Sequence, residues 1–213
     1  MLKVYGVHGS PFVRKVLISL EHKKIAYDLV PTMPFSGDEG FLKINPLGKI
    51  PALQDGDLTL CDSKVICRYI ESKHPTPALQ PSSIEDKAKA DWIDELCGGG
   101  VAELAAGIFF QRFMRPFAFK QDPDEELVSK ITDKKLPPLL DYLETLVPAD
   151  SFIFGEFMMA DLSVASPFYN AGYAGYEVDA KRWPKVAGLI ARVREVAEVK
   201  AILEKEAEVL GLK

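Results

Sequence analysis

The chain opens with a tight run of apolar positions over residues 2–7, which predicts a strand. The period then changes. Between residues 11 and 22, Val13, Val16, Leu17 and Leu20 recur at helical spacing and share one face. Residues 25–30 predict a second strand. After the loop PTMPFSGDEG, residues 41–44 predict a short helix that stops at Asn45-Pro46. Residues 50–53 and 58–61 predict two strands joined at Asp55-Gly56-Asp57, a hairpin signal. Residues 63–73 return to helical spacing, with Val65, Ile66, Tyr69 and Ile70 apolar. The predicted order is βαβ, helix, ββα.

The segment HPTPALQPSS then places three prolines within ten residues, which excludes a regular helix and predicts a linker. Everything beyond it is helical in pattern, with spans near 84–118, 123–146, 159–171, 183–194 and 196–209. These patterns divide the chain into a small α/β domain (1–75), a linker (76–83) and an all-α domain (84–213). Gly98-Gly99-Gly100 is unusual inside a predicted helix, where each glycine costs about 1 kcal/mol against alanine. It predicts a kink, a close approach of another backbone such as a partner subunit, or a break into two helices. The terminal pattern EVAEVKAILEKEAEVLG predicts an amphipathic helix with a solvated charged face.

At 213 residues, with 47% hydrophobic and 27% charged positions, the composition is that of an ordinary globular protein. The net charge of −5 gives no electrostatic case for nucleic acid or an anionic membrane. No apolar run approaches a membrane span, and MLKVYGV carries no signal-peptide pattern. Cys61, Cys67 and Cys97 form no disulfide framework, and neither they nor the three scattered histidines show metal-ligand spacing. The expectation is a cytoplasmic chain with reduced thiols, no metal and no resident cofactor.

Three short motifs carry candidate chemistry. Ser10-Pro11 pairs a favoured N-cap with a favoured first helical residue. The same hydroxyl, beside the N–H groups of a helix N-terminus, can also donate to an anion. In NPLGKIP, Pro51 is either a turn proline at a strand start or the mark of a cis bond that leaves its neighbour's backbone open to an extended ligand. Asp62-Ser63 is either another helix cap or a site for an amino acid, with the carboxylate on Ser63 and the ammonium on Asp62.

Taken together, in this order and ahead of a helical second domain, these motifs resemble the cytosolic glutathione transferases over essentially the whole chain. The opening LKVYG…SPFVRKV and NPLGKIP followed by DS are most similar to the serine-type classes, phi and theta. The resemblance implies a thioredoxin-like α/β N-terminal domain, an all-α C-terminal domain and a homodimer. It implies that Ser10 stabilises the glutathione thiolate, that Ile50 beside cis-Pro51 pairs with the cysteinyl unit, and that Asp62, Ser63 and Lys49 hold the γ-glutamyl end. Glutathione is thus a co-substrate, and its partner is a small hydrophobic electrophile.

Departures from the family pattern accompany the match. Relatives more often carry Glu than Asp before the serine, and residues 31–37 lack the basic residue that several classes aim at the glycyl carboxylate. The family's Ser/Thr-x-x-Asp capping box reads Met158-Met159-Ala160-Asp161, which predicts a weaker box on the same fold. Tyr5 stands where tyrosine-type relatives carry their thiol-activating hydroxyl and is the competing candidate to Ser10. Cysteine-type relatives hold Cys at the position of Ser10, and serine cannot form the mixed disulfide that exchange chemistry needs. For the electrophile, Phe12, Phe35, Phe109 and Phe113 are the candidates, the last two on one helical face. Arg14 and Lys15 are expected to be solvated or ion-paired, and His8 to be a loop residue. Thiolate-dependent peroxide reduction or dehalogenation fits the same site, and a non-catalytic binding module is the rival reading.

Overall fold

The computed structural model describes residues 1–212. By their contacts they form two compact units, Met1–Leu79 joined by the C-terminal segment from Ala197, and Gln80–Val196.

The first unit is built on a four-stranded sheet: β1 (Leu2–Gly6), β2 (Tyr27–Pro31), β3 (Ala52–Asp55) and β4 (Leu58–Cys61), in the order β2-β1-β3-β4. β1 and β2 run parallel across the intervening α1 (Pro11–His22), while β3 is antiparallel to both β1 and β4. This is the βαβ, helix, ββα order that the periodicity predicts, with α2 (Glu39–Ile44) and α3 (Ser63–Lys73) as the other helices. Val4, Val13, Val16, Leu17, Leu20, Ala52, Leu53, Ile66 and Ile70 are buried, so the apolar faces of α1 and α3 close on the sheet. The hairpin turn falls at Gly56-Asp57, where Gly56 has φ +59°. The Ile50–Pro51 and Thr76–Pro77 peptides are both cis.

The last helix, α10 (Ala197–Leu210), packs on α1 within this first unit. The sequence pattern groups it with the other helices, because periodicity reports that a helix has an apolar face but not what covers that face.

In the second unit, α4 (Ile84–Glu95) passes through a π-helical stretch, Leu96–Val101, into α5 (Ala102–Phe109) and a second π-helical stretch, Phe110–Phe119. Gly98-Gly99-Gly100 therefore neither breaks the rod nor ends it. The extra residue per turn is absorbed as π geometry, and Lys120, at φ +55°, terminates it. α6 (Glu125–Lys130) and α7 (Leu136–Leu146) are likewise continuous through π-helical Ile131–Lys135. α8 (Met159–Tyr173) is buried along most of its length and packs against α4, α5 and α9 (Pro184–Arg194).

The N-terminus of α8 departs in an instructive way from the weak capping box expected there. Asp161 is wholly buried and accepts N–H bonds from Met158 (2.9 Å) and Ile153 (2.8 Å). One carboxylate thus closes the helix end and anchors the preceding loop.

Candidate functional site

Strand register explains how motifs far apart in sequence meet. Gly6 pairs with Pro31 across the parallel ladder, and Tyr5 lies opposite Ala52, which lies opposite Cys61. The segment after β1 (Val7–Ser10), the loop after β2, the segment before β3 (Lys49-Ile50-Pro51) and the residues after β4 (Asp62-Ser63) therefore all leave the sheet at the same end. The loops also bond to each other: Thr32 N–H donates to the Gly6 carbonyl (3.1 Å) and Phe35 N–H to the Gly48 carbonyl (2.8 Å). Ser10, Ile50, Pro51, Asp62 and Ser63 all stand at this end.

Ser10 is the N-cap of α1. Its Oγ accepts from Val13 N–H at 3.4 Å, and Pro11 occupies the first helical position. Because the Oγ is the acceptor in that bond, its hydroxyl proton remains for an external acceptor. Tyr5, the competing hydroxyl, donates to Gln54 Oε1 on β3 at 3.1 Å.

Asn45 shapes the approach to Pro51. Its carbonyl accepts from Gly48 N–H (2.9 Å), its Oδ1 from Leu47 N–H (3.1 Å), and its Nδ2 donates to the Lys49 carbonyl (2.7 Å). Gly48, at φ +63°, completes the turn. Ile50 is buried and lies ahead of the first paired residue of β3, while Lys49 is exposed.

Asp62 caps α3, accepting from Lys64 N–H (2.8 Å) and Val65 N–H (3.4 Å). Its backbone, at φ 76° and ψ 126°, lies outside the regions L-residues favour. Ser63 follows as the first helical residue and is buried, 4% exposed. Cys61 beside them bonds the Ile44 carbonyl, and burial pushes its thiol pKa up, with the Asp62 charge adding to the effect. It is not an activated nucleophile.

The aromatic candidates fall in different places. Phe12 is half-buried in the first turn of α1, and Phe35 is 72% exposed at φ +55° in the loop after β2. In the second unit Phe109 and Phe113 stack at 4.9 Å, and Phe113 and Phe117 at 5.8 Å, making a ladder of near-parallel rings. Arg112 is tied to Glu125 (2.8 Å).

Arg14 is ion-paired, one of the two expectations for it, but sequence reasoning anticipated neither its burial nor its partner. Both Arg14 and Glu206 are fully buried, with Arg14 Nε 2.9 Å and Nη2 2.5 Å from the carboxylate. His8 is half-buried, and its Nδ1 has no hydrogen-bond partner. Burial lowers its pKa and outweighs the opposing field of Glu206, to which Lys205 adds a further small lowering. A charged residue set among the buried positions of α1 was the available signal, but its partner lies 192 residues away. Among the described residues no cluster of His, Cys, Asp and Glu has metal-binding geometry, and no helix is long and apolar enough to cross a membrane.

Comparison with known proteins agrees with this architecture. The profile of the glutathione S-transferase N-terminal domain matches residues 4–78, and that of the C-terminal domain matches residues 109–206. Glutathione S-transferase 4 of Zea mays is 33% identical over 166 residues, spanning 76% of this chain and 74% of its own. Glutathione transferase F7 from Populus trichocarpa superposes with a TM-score of 0.83 at 26% identity, covering 97% of this chain and 99% of that one. The human glutathione-S-transferase T1-1 apo structure shares the fold, with a TM-score of 0.87 at 24% identity over 100% of this chain and 90% of that one.

Proposed function

The chain belongs to the glutathione S-transferase family, and on that premise we propose that it conjugates the glutathione thiolate to small hydrophobic electrophiles, with Ser10 stabilising the thiolate. The observation that carries this reading is the position of Ser10: it caps α1 through its oxygen at the sheet end where the other two motifs meet.

The energetics suffice without a general base. A free thiol with a pKa near 8.5 is about 3% ionised at pH 7. A hydrogen bond to a charged group contributes about 1.5–3 kcal/mol, or about one to two pKa units. The N-terminus of α1 adds about 0.3–1 kcal/mol. The glutathione thiol loses its proton to solvent, and the Ser10 O–H donates a hydrogen bond to the resulting thiolate while its oxygen stays on Val13 N–H. The sulfur then bonds to the electrophilic carbon as the bond from that carbon to its leaving group breaks.

The remaining residues take the binding roles. Ile50, ahead of the β3 ladder, offers its backbone to the cysteinyl unit. Ser63 at the start of α3 receives the γ-glutamyl carboxylate, Asp62 pairs with the ammonium, and Lys49 adds a contact to that end. Within the first unit, Phe12 and Phe35 supply apolar surface for the electrophile. Peroxide reduction and dehalogenation would draw on the same thiolate. The working form is a homodimer, as the family resemblance implies, and cysteines held as thiols rather than disulfides suit a reducing cytoplasm.

A pH titration of bound glutathione, read from thiolate absorbance, tests the reading. The wild type and Tyr5→Phe should show a thiol pKa one to two units below about 8.5, and Ser10→Ala should return it close to that value. Loss of the shift in Tyr5→Phe instead would transfer the role to Tyr5. Bound glutathione with an unperturbed thiol in the wild type would favour a non-catalytic binding module.

A further inference from the structure

α10 touches the Ser10 turn on both sides. Before Ser10, Gly9 has φ +90°, and a Cβ placed there would lie 3.2 Å from Leu210 Cδ1 at the end of α10. After it, the Arg14 N–H donates to the Ser10 carbonyl at 2.9 Å, so the backbone of Ser10 is bonded to the residue whose side chain enters the carboxylate of Glu206. One stretch further along the same two helices, His22 Nδ1 lies 3.2 Å from Glu198 Oε1. The contacts Gly9–Leu210, Arg14–Glu206 and His22–Glu198 run in antiparallel register, rising along α1 as they fall along α10. The helix therefore lies along α1 from the Ser10 turn to its last residue.

We propose that Glu206 is a positioning residue for Ser10: held on Arg14, it fixes the first turn of α1 and, with Leu210 against Gly9, sets where the Ser10 hydroxyl points. The inference rests on the Ser10 reading above. Its physical basis is the cost of misplacement. Hydrogen-bond stabilisation of a thiolate falls steeply as the donor leaves its favoured distance and angle, and a cap bond of 3.4 Å to Val13 N–H is too long to hold the hydroxyl by itself. The fork of Arg14 on a buried carboxylate is a two-point contact that admits one side-chain geometry. It holds Arg14, the residue whose N–H closes the turn that Ser10 begins. Loss of the carboxylate removes the two-point hold on a buried guanidinium, and the first turn of α1 loses the contact that fixes it.

The test compares the full-length wild type with Glu206→Gln, Glu206→Asp, Leu210→Ala and Ser10→Ala. For each folded protein the glutathione Kd, the bound-thiol pKa and the melting temperature are measured. Glu206→Gln should raise the bound-thiol pKa by about half a unit or more, with the glutathione Kd within about threefold of wild type. Glu206→Asp should recover part of the shift, because it keeps the charge. Leu210→Ala should raise the pKa by a smaller amount, and it decides the matter should Glu206→Gln fail to fold. A role in stability alone would lower the melting temperature and leave the thiol pKa where it was. That result in the folded variants, beside a perturbed wild-type thiol that Ser10→Ala restores, would overturn the positioning role while sparing the Ser10 reading. If Ser10→Ala titrates like the wild type, the Ser10 reading falls, and this inference with it.

Discussion

Tyr5 donates its phenolic hydroxyl to Gln54 across the β1–β3 pair, 3.1 Å away. A hydroxyl that already serves a neighbouring strand is part of the sheet's own bonding. Tyr5→Phe should therefore cost about 0.5–1.5 kcal/mol of stability, the ordinary net value of such a bond. The bound-thiol pKa should stay put. Urea melts of Tyr5→Phe, Gln54→Leu and the double variant check this: the two single losses should overlap, because each removes the same bond.

The backbone of Asp62 separates its structural role from its binding role. Glycine tolerates φ 76°, ψ 126°, whereas alanine keeps the strain and loses the cap. Asp62→Ala should lower stability by about 1 kcal/mol. Asp62→Gly should leave stability unchanged or slightly raised, since strain relief offsets the lost cap. Both remove the carboxylate proposed to meet glutathione, so both should weaken its binding about equally in calorimetry. Normal affinity in Asp62→Gly would take Asp62 out of the site.

Asp161 carries two backbone N–H groups in a buried place, so Asp161→Ala should cost about 2–4 kcal/mol and loosen both the α8 terminus and the 153–158 loop. Burial pushes its pKa up to about 6. The folded state therefore holds the proton more tightly than the unfolded chain. The stability this contributes is complete below about pH 4 and is lost as pH rises through about 6. Relative to Asp161→Asn, the wild type should lose up to about 1.4 kcal/mol per pH unit across that window and nothing further above it. Denaturant melts of both proteins at pH 5, 6 and 7.5 measure the slope.

His8 predicts the opposite sign. Its pKa is lowered by burial, so the unfolded chain binds the proton more tightly, and the contribution is complete above about pH 6.5 and lost as pH falls. Relative to His8→Gln, the wild type should weaken on acidification below that pH. Parallel melting curves for the two proteins between pH 5 and 7.5 would remove the effect.

What the sequence determined is what short-range physics determines. The change from strand-like to helical spacing, the Ser10-Pro11 and Asp62 caps and the hairpin at Gly56-Asp57 each depend on residues within a turn or two of one another, so each was legible in the order of the residues. Even the departures there were local: three glycines widen a helix into π geometry instead of breaking it.

The tertiary structure decided what meets what. Strand register brings Ser10, Pro51 and Ser63 to one end of the sheet, and no local signal states a register. Arg14 and Glu206 each stand on helices whose pattern allows a solvated charge. In the fold, where α10 packs on α1, both are fully buried and each stabilises the charge of the other. The surroundings of Tyr5 show the same distinction: the sequence offers its hydroxyl as a competitor to Ser10, and only the fold supplies Gln54 as its partner.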